Sequence, residues 1–83
     1  MLKITRTANG EVVFKLSGRM DAENINELET LLSTEPRGLH IVLDLKDLTL
    51  VDQDTVNFLR RREAHDVKLR NCPAYIRKWI TGE

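Results

Sequence analysis

His40-Ile41-Val42-Leu43-Asp44-Leu45 decides how the rest of the chain is read. Its apolar residues run together without strict alternation. A strand buried on both faces has this look, usually within a parallel sheet. Beyond it, Lys46-Asp47 reads as a turn, and Leu48-Thr49-Leu50-Val51 as a second extended piece ending at Asp52. A helix is expected from Asp54 to His65, with Val56 and Leu59 facing inward. Val67-Lys68-Leu69 reads as a short fourth strand. Pro73 suits the first turn of a last helix, whose apolar stripe is Tyr75, Ile76, Trp79 and Ile80 and which Gly82 ends.

Upstream, Ala22, Ile25, Leu28 and Leu32 recur at helical spacing, behind Asp21 as a cap and ahead of Pro36 and Gly38 as stops. Two alternating runs, at about 2–7 and 11–17, flank Asn9-Gly10, a pair suited to the positive φ angles of a type I′ hairpin. The order is strand, strand, helix, strand, helix, strand, helix. Alternating strands and helices require crossover connections. The expected fold class is α/β: one domain over residues 1–83, with an N-terminal hairpin, a mixed and mostly parallel four-stranded sheet, and three helices.

Composition narrows the function. At 83 residues the chain has one small core. Acidic and basic residues balance at 13 each, so no general field draws nucleic acid or an anionic membrane, and neither is expected as a partner. Cys72 is the only cysteine, which rules out an internal disulfide. There is no charged-then-apolar leader and no apolar run long enough to cross a bilayer, so a cytoplasmic location is expected.

The residues resemble the STAS domain of bacterial anti-sigma factor antagonists over nearly the whole chain. In that family a hairpin leads to a Gly-x-x-Asp segment that opens the first helix, and Gly18-Arg19-Met20-Asp21 is similar to it. The family's apolar strand ends in Asp-Leu, here Asp44-Leu45. An apolar residue, an Asp and two serines before a glycine follow; here the segment is Val51-Asp52-Gln53-Asp54-Thr55-Val56. The resemblance implies a STAS-like fold and a non-enzymatic signalling module in transcription control. Its partner would be a serine kinase that is also an anti-sigma factor. Asp54 stands where the family is phosphorylated on serine, and it offers no hydroxyl; Thr55 replaces the glycine. The chain ends after its third helix, where many STAS domains add another strand and helix, which raises the question of what covers the last edge of the core.

The surface expected to bind a partner is Asp52, Gln53, Asp54, Thr55, Asn57, Phe58 and Arg61. Each has a plainer reading beside it. Asp52 and Asp54 can simply cap a helix and meet its positive end. Asp54 can also act as a fixed negative charge, though one carboxylate imitates phosphoserine poorly. Thr55 is either a first-turn residue or a phosphate acceptor moved by one position. Phe58 fills the core or anchors a partner. Arg60-Arg61-Arg62 point in different directions on a helix, and no aromatic residue interleaves, so they read as a solvated face. The Tyr75–Ile80 stripe reads as packing against the sheet. His40, His65 and Cys72 lack metal-ligand spacing, and neither a metal nor a cofactor is expected. No convergent catalytic set is visible, so an enzyme is not expected. A reading of another class is a self-associating structural subunit, a homo-oligomer built on an exposed sheet edge or on the apolar last helix.

Overall fold

In the computed structural model, which describes residues 1–36 and 40–82, the chain is an α/β domain with the element order expected from its sequence. The elements are β1 (Leu2–Ala8), β2 (Val12–Met20), α1 (Ala22–Ser33), β3 (Ile41–Val51), α2 (Gln53–His65), β4 (Val67–Arg70) and α3 (Ala74–Thr81). The sheet runs β1-β2-β3-β4; β1 is antiparallel to β2, and the other pairings are parallel.

All three helices lie on one face of this sheet, because one continuous core takes residues from every strand and every helix. Val12, Phe14, Leu16, Leu43, Leu45 and Leu69 meet Leu28, Leu32, Val56, Leu59, Ile76 and Ile80 in it. Alternation sends the other strand residues to the opposite face. There Lys15, Asp44 and Arg70 stand in register across β2, β3 and β4. Lys15 pairs with Asp47 at 3.4 Å, and Arg70 pairs with Glu11. Val42 is buried on this second face too, and the apolar run of 40–45 belongs to a strand paired along both edges.

Four local expectations need correction. Lys46-Asp47 is no turn: β3 runs unbroken from Ile41 to Val51. The two charged residues are absorbed by irregularities in the pairing with β2. Lys15 faces Asp44 and Ser17 faces Asp47, so β3 holds one extra residue there. Gly18 faces Leu48 and Arg19 faces Leu50, which makes Thr49 a second. Each bulge restores the inward phase, so Leu45, Leu48 and Val51 are all buried at a spacing of three. The Asn9-Gly10 connection is not a two-residue type I′ turn, since Ala8 faces Val12 and only Gly10 has positive φ. It is a three-residue loop.

The third correction concerns the second strand, which continues through Gly18 to Met20. Gly18 has φ +97°, and a Cβ there would sit 2.5 Å from the Met1 carbonyl oxygen. Only glycine fits that approach. Finally, Pro73 precedes the last helix instead of lying in its first turn, while Gly82 ends it in the left-handed conformation as expected. Gly38 lies outside the described residues.

Candidate functional site

The site is built where β2 and β3 end together. Met20 and Val51 are their last paired residues, so the caps that follow, Asp21 and Asp52, start α1 and α2 side by side. The Asp21 carboxylate accepts from the Glu23 amide at 3.1 Å, and Asn24 Oδ1 accepts from the Asp21 amide at 3.1 Å. Asp52 accepts from the Thr55 amide at 2.8 Å. That bond, with a smaller contribution from the Ala22 amide of α1, holds the Asp52 carboxyl below its ordinary range against the opposing effect of burial. Asp52 is therefore the cap of α2, and Asp54 is not.

Asp54 lies in the first turn of α2, exposed, and forms no ion pair among the described residues. Thr55 is completely buried, and its hydroxyl donates to the Met20 carbonyl at 3.1 Å. A kinase cannot reach that oxygen without unfolding the first turn, so Thr55 leaves the set of candidate phosphate acceptors and contact residues. Phe58 leaves it too, because its ring is 1% exposed and belongs to the core.

The remaining expected residues form a band along α2. Gln53 donates to Asn57 Oδ1 at 3.0 Å. Arg61 reaches Glu29 of α1 at 3.0 Å, and its guanidinium lies 5.8 Å from the centre of the Phe58 ring. Exposed side chains of Gln53, Asp54, Asn57 and Arg61 thus flank a half-buried Asp52.

The sequence reading missed the neighbours on α3. Trp79 Nε1 donates to Gln53 Oε1 at 2.9 Å, and the Tyr75 hydroxyl donates to the Thr49 carbonyl at 2.8 Å. Thr49 is the extra residue of the second bulge, and Tyr75 ties it to α3. Arg60, read as part of a solvated face, closes the end of α3 by donating to the Ile80 and Trp79 carbonyls at 2.7 and 3.0 Å. The helical period held the signal. Residues 75 and 79 sit about 100° from 76 and 80, so only one pair can face the core.

At the opposite end of the sheet, Glu11, His40, Glu63, His65, Asp66 and Lys68 line an open hollow of about 560 Å³. No group of three potential metal ligands occurs among the described residues. Cys72 is partly buried, which pushes its thiol up. No helix among the described residues is long and apolar enough to cross a membrane.

These features define a two-layer α/β domain with its exposed polar site at the C-terminal ends of parallel strands. Neither a family model nor a curated protein sequence matches the chain. Among solved structures it is similar to an uncharacterized protein of the DUF3478 family, with a SpoIIAA-like fold, from Shewanella loihica PV-4. The TM-score is 0.59 at 15% identity, and the match covers 98% of this chain and 75% of that one. The likeness is one of fold, and it agrees with the STAS resemblance drawn from the residues.

Proposed function

We propose that this chain is a non-enzymatic, cytoplasmic protein-binding module of the anti-sigma antagonist kind, with a regulatory protein of the serine kinase/anti-sigma type as its partner. The first two turns of α2 make the contact through Asp54, Gln53, Asn57 and Arg61. The observation that carries this reading is an exposed Asp54, without an ion pair among the described residues, beside a buried, hydrogen-bonded Thr55. The site displays a fixed negative charge where the resembling family switches one on and off, so phosphorylation at this position does not regulate docking. The helix amides and dipole favour that charge.

The test uses the anti-sigma-type kinase encoded nearest to the gene. Calorimetry should show a complex that Asp54→Lys weakens about tenfold or more, as expected for reversing a contact charge. Intact mass after incubation with kinase and ATP should be unchanged. Phosphate on the chain, or a complex indifferent to Asp54→Lys, would refute the reading.

A further inference from the structure

An amide side chain offers a donor at one end and an acceptor at the other, and half a turn about its last bond exchanges them. Gln53 and Asn57 are both exposed on α2. What they show a partner therefore depends on what else holds them.

Two groups that can only donate hold them. Neither the indole of Trp79 nor the guanidinium of Arg60 has an acceptor. Trp79 Nε1 donates to Gln53 Oε1 at 2.9 Å, which leaves the Gln53 nitrogen to donate, and it does so to Asn57 Oδ1 at 3.0 Å. Arg60 donates to the same Asn57 oxygen at 3.2 Å. The other nitrogens of Arg60 bond the Ile80 and Trp79 carbonyls, so the circuit closes on α3. Reversing either amide would set donor against donor. The Asn57 oxygen is thus taken twice, and its nitrogen has no partner among the described residues.

Residues three and four apart on a helix are neighbours on its surface. Asn57 lies at those spacings from Asp54 and Arg61, and Arg61 is engaged by Glu29 of α1. Along α2 a partner therefore meets a carboxylate that only accepts, at Asp54, and then an amide free only to donate, at Asn57.

We propose that Trp79 is a positioning residue for the docking surface. Through Gln53 it fixes Asn57 with its nitrogen outward. The surface then selects a partner with a cation or other donor opposite Asp54 and a carbonyl or carboxylate acceptor opposite Asn57. The inference rests on the docking role proposed for α2 and states which chemistry that surface reads. A partner with the reversed order would bury unpaired polar groups, and such groups exclude it.

Proton exchange of the side-chain amides in the free chain tests it, together with calorimetry against the anti-sigma-type kinase encoded nearest to the gene. In nitrogen–proton spectra, at least one Gln53 side-chain proton should exchange more slowly than those of Asn57. Trp79→Phe keeps a ring but removes the donor, and that protection should vanish with the fold intact by far-UV circular dichroism. The same variant should weaken docking about two- to tenfold, the cost of ordering amides left free in the unbound chain. Asn57→Asp keeps an acceptor for Gln53 and Arg60 and removes the outward donor. Its urea midpoint should hold while docking weakens about tenfold or more, with acceptor facing acceptor. The added negative charge favours any partner that reads only Asp54, so docking that is unchanged or tighter overturns the inference. So does a Gln53 amide whose exchange Trp79→Phe leaves as it was. A kinase that does not bind the wild-type chain, or that ignores Asp54→Lys, sinks the docking role of α2 and this inference with it. One that responds to Asp54→Lys but not to Asn57→Asp sinks this inference alone.

Discussion

Thr55 shows how one hydroxyl can decide between two functions. A threonine in the first turn of a helix beside two aspartates is an inviting kinase target on paper. In the folded chain the hydroxyl is spent on the Met20 carbonyl, and the first turn of α2 is tied to the end of β2. Thr55→Val keeps the shape and removes the donor, leaving a buried carbonyl unsatisfied, and urea denaturation should show a loss of about 1–3 kcal/mol. The aspartates on either side should behave differently. Asp52→Ala removes a cap and should cost about 0.5–2 kcal/mol. Asp54→Ala touches an exposed residue that does not cap the helix and should move stability by about 0.5 kcal/mol or less. Equal losses at the two positions would contradict the assignment of the cap. Both aspartates were legible as helix-start residues. Which one caps was not, because a shift of two residues in the helix boundary exchanges their roles.

Among the elements, α3 reaches the edge of β3 that β4 leaves open, by one bond at Thr49. Past Asp44, β3 outruns β4 and keeps β2 on one side only. Tyr75 meets β3 at Thr49, and Arg60 fixes the helix end from α2. Arg60→Ala should therefore loosen α3 specifically, lowering stability by about 1 kcal/mol once exposure is discounted. Emission from Trp79 should shift to the red before the global transition. A single transition coincident with backbone unfolding would show that α3 is held by Ile76 and Ile80 alone.

The elements most legible in sequence were those with a clean period: the strand around Val12, Phe14 and Leu16, and the helix carrying Leu28 and Leu32. The bulges were not legible. Lys46-Asp47 interrupts alternation as a turn would, and only pairing with β2 shows that Leu48 and Val51 come back into phase. Core packing was one of the two readings open for Phe58; it lies off the Val56–Leu59 line, and the breadth of the buried face depends on how α1 and α3 close around α2.

For the whole molecule, pH is the simplest probe of the charge arrangement. Asp52 is held low by the Thr55 amide, Glu35 by the Arg6 guanidinium and Glu63 by that of Arg77. A carboxyl with a depressed folded-state pKa contributes stability that is whole above its unfolded value, about 4, and is lost as pH falls through the folded value. The urea midpoint should stay level from neutrality to about pH 5 and then drop. Asp52→Asn should make that drop shallower. A wild-type midpoint still level at about pH 3 would mean that these contacts do not persist in solution.

The position of α3 in the chain has a consequence for how the protein is made. It follows all four strands in the chain, yet it carries Ile76 and Ile80 into the core and bonds β3 at Thr49, past the reach of β4. Until it emerges, the nascent domain holds an incomplete core and an uncovered strand, the condition that invites pairing between chains. Stable folding of the sheet therefore waits for α3. A product stalled or truncated before α3 should be a client for chaperones and proteases, and a chain that includes α3 should escape both once Tyr75 and Trp79 reach Thr49 and Gln53.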